Sequence, residues 1–436
     1  LGYILSPKTI LKGVSRLGAA ECAWYRLDDD GFESRRYWDL ASHVLAPRAA
    51  HDPEQFRALF DDAVAVRLRS DVPLGAFLSG GVDSASVVAS MAAQSASRVH
   101  AYCVGFEDDS FDESDFARAA AAHMGVDIEV TRQQALPVSE LSRLVWHTDE
   151  PFADNSMMPT YLLNQVARRK VTVALSGDGA DELLAGYPTY RADQIHRLWS
   201  RMPGFVRRGA LAAADRWLKP SYRKVSWDYK LRRFLAGHDL DAGRAHYSWR
   251  EIFTGADKAR LLSPEALAEL GDYDPYDSFA QAFAEVKGAD FLDSCLYVDI
   301  KTWLADDILV KADRMSMANS LEVRSPFLDH RLVEYCARLP ESAKMDMRRQ
   351  KVILKEAMAG AIPEGTIRRA KRGFNAPTRQ FGFLGVDSPR GAGLLRPDFR
   401  LDPAQEDITF KSFSLGVLSQ WLDMFERYEK QGEWRA

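Results

Sequence analysis

The chain has 436 residues, of which 46% are hydrophobic and 27% are charged, a composition typical of a globular enzyme with two or three domains. Its net charge of −5 argues against an obligatory nucleic-acid partner, and no apolar run reaches the roughly 18 residues that a membrane span needs. The four cysteines are widely spaced, which argues against a disulfide framework or a zinc site. We therefore expect a cytoplasmic protein that binds neither nucleic acid nor a membrane.

Residues 1–40 predict short extended pieces joined by turns. Two of these pieces flank Asp28–Gly31, whose aspartates and glycine are typical of a hairpin turn. The segment is too small to be a domain, and the chain begins at Leu1 instead of methionine. We expect these residues to be the closing strands of a larger unit, and the chain to be a piece of a longer protein.

Residues 53–190 alternate between strand-like and helix-like patterns. The predicted strands cover 74–78, 99–104, 127–130 and 171–175, and the predicted helices cover 56–68, 85–91, 113–124, 139–147 and 159–169. This alternation predicts an α/β fold, in which a parallel sheet carries helices on both faces. Ligands of such sheets bind beyond the carboxyl ends of the strands, where Ser79, Phe106 and Ser176 would emerge.

Residues 191–436 predict a helical C-terminal lobe, with a loop-rich stretch at 386–409. The first part of this lobe, 191–233, carries 12 Lys and Arg against 3 Asp and Glu, with aromatic residues interleaved. Such a stretch could contact RNA. A solvated helical face with packed aromatic side chains is the more common explanation.

The most informative feature follows the first strand of the α/β region. Ser79, Gly80 and Gly81 open a turn that ends at Asp83 and Ser84, where the next helix is predicted. The glycines allow backbone N–H groups to approach an oxyanion, the serines add hydroxyl donors, and the helix start adds positive potential. No Gly-Lys-Ser/Thr follows, so the turn is not a Walker loop. It resembles the pyrophosphate loop of the N-type ATP pyrophosphatases, which cleave ATP between the α- and β-phosphates.

A second serine–glycine turn follows the fourth predicted strand, at residue 176. It places three acids within five residues, namely Asp178, Asp181 and Glu182. A well-capped helix start accounts for one or two of these acids, whereas a bound cation accounts for the cluster. ATP brings about four negative charges, so we expect Mg²⁺ to bridge its phosphates to Asp83 and Asp181.

The two turns belong to a longer series of motifs. In chain order these are Ser79–Ser84, Phe111–Ser114, Asp149–Phe152, Ser176–Tyr187, Val323–Asp329 and Lys371–Phe374. The series resembles the synthetase part of the glutamine-dependent asparagine synthetases, from Tyr37 to Phe374. The resemblance implies three parts: a C-terminal remnant of a glutaminase domain (1–40), an ATP-pyrophosphatase core (53–190) and the helical remainder of the synthetase domain (191–436).

The resemblance also implies roles for individual residues in binding ATP and Mg²⁺. The positions that hold the adenine and ribose match Leu78, Val104, Ser176 and Gly177. The loop from Ser79 to Ser84 would grip the departing pyrophosphate, and the magnesium ligands match Asp83 and Asp181.

Two further positions match catalytic residues of the family. Lys371 matches a lysine that neutralises the charge developing on the α-phosphate and pyrophosphate. By composition alone it is one charge among several on a surface loop. Asp178 occupies a position that is often glutamate and acts near the acyl carbon, as the base for incoming ammonia. Here the side chain is aspartate, which is one methylene shorter than glutamate.

Four residues are candidates for binding the acceptor substrate. Asp154 and Asn155 follow a Pro-Phe turn and would bind an amino-acid moiety, or would cap the helix that begins near Pro159. Glu182 belongs to the second turn. Arg324 lies in a dense polar stretch that forms either a buried network near the cleft or ordinary packing of the lobe.

The implied reaction has two steps. ATP·Mg²⁺ adenylates the side-chain carboxylate of aspartate, and ammonia then attacks the acyl-adenylate to give asparagine and AMP. Members of the family open with a glutaminase domain whose nucleophile is an N-terminal cysteine, whereas the first cysteine here is Cys22. We therefore expect the chain as given to use ammonia, with glutamine served by a missing domain, and we consider a homodimer.

Three other functions remain open at this stage. The same chemistry could act on another carboxylate acceptor in a secondary pathway, as an amidotransferase or a cyclase. A tRNA-modifying adenylase would use the basic stretch 191–233, but the net charge and the long C-terminal lobe argue against it. A degenerate, non-enzymatic binding module is hard to reconcile with the presence of Asp83, Asp178, Asp181 and Lys371.

Overall fold

The computed structural model describes most of the chain. The described residues are 1–106, 112–133, 138–207, 209, 234, 239–369, 393–397, 399 and 408–431. Lys371, most of the loop-rich stretch 386–409 and most of the basic stretch 191–233 lie outside them. Among the described residues, no helix combines the length and the apolar character that crossing a bilayer requires.

The N-terminal segment contains the predicted hairpin. Strands β1 (Glu21–Tyr25) and β2 (Phe32–Arg36) pair antiparallel, with Tyr25 opposite Phe32. Asp30 in the turn between them has a φ of 53°, a left-handed conformation that aspartate tolerates better than most residues. The hairpin is therefore confirmed, and its strands begin and end two to three residues before the extended pieces that the sequence predicts at 24–27 and 34–38.

The α/β region forms the predicted parallel sheet. Its strands are β3 (Leu74–Phe77), β4 (His100–Phe106), β5 (Asp127–Gln133), β6 (Val173–Leu175) and β7 (Glu322–Arg324), in the spatial order β5-β4-β3-β6-β7. The helices of this region are α1 (Leu40–Val44), α2 (Pro53–Arg67), α3 (Val82–Gln94), α4 (Ser114–Met124), α5 (Val138–Thr148), α6 (Met157–Ala167), α7 (Ala180–Leu183) and α8 (Pro188–Ser200). The α/β fold class inferred from the sequence, with a parallel sheet flanked by helices, is confirmed.

Strand β7 corrects one feature of the sequence analysis, which treated everything after residue 190 as helical. Val323 pairs with Ala174 in the neighbouring strand, so the C-terminal lobe contributes the fifth strand of the sheet. The chain enters this strand after Ser320, whose φ of 56° ends the preceding helix. A strand of three residues is too short to show an alternating pattern, which is why sequence periodicity missed it.

The C-terminal lobe is otherwise helical. Its helices are α9 (Ala242–Ser248), α10 (Gly255–Leu261), α11 (Pro264–Leu270), α12 (Tyr276–Glu285), α13 (Phe291–Asp299), α14 (Leu309–Met317), α15 (His330–Arg338), α16 (Glu341–Lys344), α17 (Val352–Ala357), α18 (Glu364–Arg368) and α19 (Ile408–Gln431). A π-helical segment (Ile300–Ile308) joins α13 to α14, and a 3₁₀ turn (Pro326–Leu328) follows β7. Extended π-helical segments are rare and are often found at functional sites.

Helix α2 illustrates how the lobe and the α/β region share one core. It begins where the Asp52 carboxylate accepts the N–H groups of the first turn, with Pro53 at the first helical position. Its buried face presents Phe56 and Phe60, and the ring of Phe60 lies 4.8 Å from that of Phe327 in the lobe. Each such fully buried ring contributes about 1.5–3 kcal/mol, so this contact helps to hold the two parts together.

Candidate active site

A cavity of about 520 Å³ opens at the carboxyl ends of the central strands, where the fold class predicts a ligand. Its wall includes the N-terminal segment, the turns of the sheet, helix α6, the loop after α9, and the π-helical segment with the helix that follows. The predicted site residues on its wall are Leu78, Ser79, Asp83, Ser84, Val104, Asp154, Asn155, Ser176, Gly177, Asp178, Asp181 and Glu182. The structure therefore brings together most of the residues that the sequence singled out.

The first glycine turn has the geometry of an anion cradle. Ser84 Oγ accepts the N–H of Ser79 at 3.1 Å and lies 3.1 Å from Ser79 Oγ, so both hydroxyls are gathered in the turn. Gly80 has a φ of 74°, and a Cβ there would lie 2.7 Å from the Ala117 backbone nitrogen. The N-cap of α3 is Gly81, which offers no side-chain acceptor to the first helical N–H groups. The N–H groups at the start of a helix point along its axis, where an oxyanion can bind.

The second glycine turn holds Asp178 in place. Ser176 Oγ donates to Asp178 Oδ2 at 2.9 Å and lies 3.0 Å from the hydroxyl of Ser325, which comes from the lobe. Gly179 has a φ of 92°, and a Cβ there would overlap the side chain of Leu328. The turn is thus fixed both from within and by the segment that follows β7.

The two turns meet at a lysine that the sequence analysis did not identify. Lys351 Nζ lies 2.5 Å from Asp83 Oδ1 and 2.6 Å from Asp181 Oδ1. The side chain is almost fully buried, and its backbone has a φ of 56°, which is strained for a residue with a Cβ. Lys351 lies 268 residues beyond Asp83, and nothing in its local sequence marks it as different from its basic neighbours.

The positions of Asp83 and Asp181 can be compared with what a Mg²⁺ site requires. Two carboxylates from separate turns converge on a single cationic group, Lys351 Nζ, beside the phosphate-binding turn. Carboxylate oxygens are the ligands that Mg²⁺ prefers, usually with substrate phosphates as further ligands. The donor set therefore fits the ion, and Lys351 supplies the charge balance between the two acids in this structure.

Glu182 lies behind the acidic pair and is 1% exposed. Burial, together with the neighbouring Asp181 carboxylate, raises the pKa of Glu182 to about 7. Its Oε1 accepts the hydroxyl of Tyr187 at 2.7 Å. The acidic cluster at the second turn thus includes one carboxyl group whose ionisation is disfavoured by burial and by its neighbour Asp181.

Asp154 and Asn155 reach the cavity from the turn before α6. Asp154 accepts the N–H of Ser156 at 2.8 Å and pairs with Lys311 Nζ at 2.7 Å. The N-cap of α6 is Ser156, and among the described residues no side chain caps the first helical N–H groups, so Asp154 and Asn155 are not the cap of this helix. Burial opposes the charge of Asp154, but the Lys311 ammonium outweighs it and lowers the pKa of this carboxyl. Lys311, on α14, is a second cationic residue of the cavity that sequence reasoning missed.

Arg324 is the one acceptor-binding candidate that the structure does not bring to the cavity. Its guanidinium donates to the backbone oxygens of Arg67 and Arg69 at 2.9 and 2.8 Å, and to Glu322 at 2.6 Å. These bonds tie strand β7 to the end of α2. The interpretation as ordinary packing is therefore correct for this residue, because its donors are used by backbone carbonyls.

The proposed catalytic Lys371 lies outside the described residues, but the chain approaches the cavity just before it. Arg369 pairs with Glu113 at 2.8 Å, and its guanidinium lies 3.9 Å from the ring centre of Phe116. Glu113 itself lines the cavity. The last described residue before Lys371 is therefore anchored at the cavity wall.

Comparison with known proteins decides the family. The sequence model of the asparagine synthase family matches residues 55–386, which is most of the chain. The chain belongs to the asparagine synthase family. This confirms the resemblance drawn from the motifs.

Three relatives show how far the similarity extends. A Mycobacterium tuberculosis protein named "Putative asparagine synthetase (glutamine-hydrolyzing)" is 34% identical over 387 residues, 87% of this chain and 57% of its own. "Asparagine synthetase (glutamine-hydrolyzing) 1" of Bacillus subtilis is 35% identical over 333 residues, 75% of this chain and 50% of its own. "Amidase chyE" of Penicillium rubens is 29% identical over 416 residues, 86% of this chain and 60% of its own. The chain thus spans between half and three fifths of the length of these relatives.

Proposed function

We propose that this chain is the synthetase part of a C–N ligase that converts aspartate to asparagine with ATP and Mg²⁺. The observation that carries the proposal is the meeting of the two glycine turns, which puts an anion cradle beside two converging carboxylates and Lys351. Family membership supports the same chemistry.

The first step is adenylation of the acceptor. An oxygen of the aspartate side-chain carboxylate attacks the α-phosphorus of ATP, and the bond from that phosphorus to the bridging oxygen of pyrophosphate breaks. The turn from Ser79 to Ser84 receives the departing pyrophosphate through its hydroxyls and the first N–H groups of α3. Mg²⁺ held by Asp83 and Asp181 would neutralise phosphate charge. Lys371, two residues beyond the anchored Arg369 in the sequence, is the residue that we propose to neutralise charge on the α-phosphate and pyrophosphate.

The second step forms the amide. Ammonia attacks the acyl carbon, a C–N bond forms, and the bond to the AMP oxygen breaks. Asp178 is the proposed base that takes a proton from the attacking nitrogen, and its bond with Ser176 orients the carboxylate for this role. The walls of the cavity would limit the access of water to the acyl-adenylate.

The nitrogen source of the whole protein is a separate proposal. The relatives are longer than this chain, and two are named as glutamine-hydrolyzing. We propose that ammonia reaches this site directly or from a glutaminase domain, of which the hairpin within residues 1–40 would be the closing part. The division at residues 40, 53 and 190 remains part of that proposal.

A second candidate acceptor is favoured by one observation. Two relatives at 28–29% identity, from Penicillium rubens and Gibberella zeae, are named amidases instead of synthetases. The same adenylation step on a different carboxylic acid would agree with such names.

The test is pyrophosphate release from ATP·Mg²⁺ with ammonium, in the presence and absence of aspartate, with products identified by mass. We expect aspartate-dependent pyrophosphate together with asparagine and AMP. Asp181→Asn should lower the rate about 100-fold or more while circular dichroism stays unchanged, and the exposed Asp62→Asn is the control. Release that ignores aspartate would move the acceptor elsewhere, and an unimpaired Asp181→Asn enzyme would refute the metal assignment.

A further inference from the structure

The cavity extends beyond the glycine turns into a region walled by aromatic rings. The rings of Tyr3 and Trp303 lie 5.7 Å apart in an edge-to-face arrangement, and the Arg250 guanidinium lies 4.2 Å from the Trp303 ring centre. All three line the same cavity as the phosphate-binding turn. They come from the N-terminal segment, the loop after α9 and the π-helical segment.

This region holds buried hydrogen-bond donors that have no partner among the described residues. They are Tyr3 Oη, Asn155 Nδ2, Arg250 Nε and Trp303 Nε1. Tyr3 is 8% exposed and Asn155 is 4% exposed, so bulk water satisfies neither group well. An unsatisfied buried donor costs about 1–3 kcal/mol, and the last three of these groups can only donate. A ligand with several acceptor oxygens, such as a carboxylate, matches this set.

A buried carboxyl group near these donors would favour a cationic group of the ligand. Asp307 is 2% exposed, and its Oδ1 has no hydrogen-bond partner among the described residues. Burial raises the pKa of Asp307 well above its usual range, and the nearby Asp154 carboxylate raises it further. The Lys311 and Arg250 cations offset only part of this rise in the pKa. A cationic group in the cavity would relieve both effects.

We propose that Tyr3, Arg250, Trp303 and Asp307 form the subsite for the part of the acceptor that is not activated. Its occupant is an α-amino acid with a second, side-chain carboxylate: the α-carboxylate lies on the donors and the ammonium faces Asp307. This inference rests on the proposed function, because it assumes that the other carboxylate is the one adenylated.

The N-terminal segment is an integral part of this subsite. The N–H of Ala153 donates to the Gly2 carbonyl oxygen at 2.7 Å, and the N–H of Ser6 donates to Asp306 Oδ2 at 2.8 Å. The segment is therefore docked on both sides of Tyr3, next to the elements that carry Asp154 and Asp307. Because Tyr3 belongs to the proposed subsite, the acceptor site requires residues that precede the α/β region.

The test compares single-atom changes in the protein with single-group changes in the substrate. Tyr3→Phe removes only the hydroxyl, and Tyr161→Phe is a matched control. The Tyr161 hydroxyl is also buried without a partner among the described residues, but Tyr161 does not line the cavity. We expect Tyr3→Phe to raise the KM for aspartate about tenfold, the value of one hydrogen bond to a charged group, with the KM for ATP unchanged. With the α-amide of aspartate, which lacks the α-carboxylate, the effect of Tyr3→Phe should largely disappear.

Asp307→Asn tests the other end of the acceptor. It should raise the KM for aspartate about tenfold or more, but it should leave succinate, which has no ammonium group, nearly unaffected. Trp303→Phe, with Trp146→Phe as its control, provides a second donor variant in case Tyr3→Phe does not fold. Trp146 Nε1 likewise has no partner among the described residues, and Trp146 lies away from the cavity wall.

Calorimetry measures the binding of aspartate in the presence of a non-hydrolysable ATP analogue. This measurement separates the inferred subsite from the proposed function. If the wild-type protein makes asparagine and the Tyr3, Trp303 and Asp307 variants all bind aspartate as well as it does, the subsite is overturned and the function stands. If the wild-type protein binds aspartate but releases no pyrophosphate, the function fails while the variants still test the subsite. If it binds neither aspartate nor glutamate, the subsite is wrong.

Discussion

Gly186 follows the second turn and lies directly against its acid–lysine pair. A Cβ at this position would overlap both Asp181 Oδ1 and the Lys351 side chain. Glycine is required here because the carboxylate and the lysine stem occupy the space that any side chain would take. The identity of this one residue therefore decides whether the cluster can form.

We predict that Gly186→Ala destabilises the protein by about 1–3 kcal/mol, the usual cost of overpacking, and weakens ATP-dependent turnover. Urea unfolding and pyrophosphate release measure the two effects. Gly365→Ala is the control, because nothing lies within 4 Å of a Cβ there and the residue is in helix α18. Equal stabilities of the two variants would show that the cluster can shift without loss.

Lys351 balances the charges of Asp83 and Asp181 in the absence of ligand. We predict that Lys351→Met lowers the free energy of unfolding by about 3–5 kcal/mol without Mg²⁺, because two nearly buried carboxylates lose their partner. Added Mg²⁺ should restore stability to this variant more than it stabilises the wild-type protein. Thermal unfolding with Mg²⁺ and with chelator measures this.

The control for that experiment is Lys355→Met, one turn further along α17, since Lys355 is only half-buried. A Lys351→Met protein that is as stable as the wild type with chelator would contradict the ion-pair argument. One that is destabilised but gains nothing from Mg²⁺ would contradict the proposed metal ligands.

At the scale of elements, three helices of the lobe are joined by a buried polar network. His246 on α9 lies 2.8 Å from Asp193 on α8 and 3.2 Å from Asp299 at the end of α13. Asp299 also accepts Arg250 at 2.8 Å and Tyr190 at 2.7 Å. The network therefore positions Arg250, which reaches from it into the cavity.

Asp193, His246 and Cys295 also approach one another closely enough to resemble a metal site. Both ring nitrogens of His246, however, face carboxylate oxygens within hydrogen-bond distance. A doubly protonated imidazole satisfies those contacts without a metal. The cluster is better explained as a charged hydrogen-bond network between helices.

This network makes stability depend on pH in a definite direction. Burial disfavours the charged imidazole, but the flanking acids outweigh it and raise the pKa of His246 well above its usual value. A raised folded-state pKa adds stability that is complete below the unfolded value of about 6.5 and is lost as pH rises toward the folded value. We predict that the difference in unfolding free energy between the wild type and His246→Gln shrinks from pH 6 to pH 9.

Urea titrations at several pH values measure that difference, and the loss should not exceed about 1.4 kcal/mol per pH unit. The exposed His330→Gln is the control. A difference that is constant over this range would mean that His246 keeps one protonation state throughout.

At the scale of the whole molecule, the cavity depends on three separate parts of the chain. The N-terminal segment supplies Tyr3, the sheet supplies the two glycine turns, and the lobe supplies Lys311. The lobe also supplies Lys351, which pairs with Asp83 and Asp181 on the cavity wall. A ligand that contacts all three should stabilise the molecule as one unit.

We predict that ATP, Mg²⁺ and aspartate at about 100 times their dissociation constants each add about 2.7 kcal/mol to the free energy of unfolding. A single calorimetric transition should move to higher temperature. Deletion of residues 1–6 should remove the shift with aspartate and keep the shift with ATP·Mg²⁺. A preserved aspartate shift in the shortened protein would show that the N-terminal segment is not part of the acceptor site.

The features that the sequence determined by itself are local. A strand, a serine–glycine turn and a helix are encoded within about 20 consecutive residues, so both phosphate-side turns and the parallel sheet were predictable. The acids Asp83, Asp178 and Asp181 were found for the same reason, since their chemistry is evident from the turns that carry them.

Only the tertiary structure decided which distant residues complete the site. Lys351 is 268 residues from Asp83 in the sequence, and Lys311 is 157 residues from Asp154. Tyr3, near the start of the chain, contacts Trp303 of the C-terminal lobe. The sequence around a lysine or tyrosine does not indicate which distant residue it will contact, because the packing of the folded chain determines that contact. Arg324 shows the converse, since it was a candidate for acceptor binding in the sequence, whereas in the fold its bonds to the backbone oxygens of Arg67 and Arg69 hold β7 against the end of α2. The chemistry of a turn depends on residues that are neighbours in the sequence, whereas charge balance and acceptor binding depend on contacts that exist only after folding.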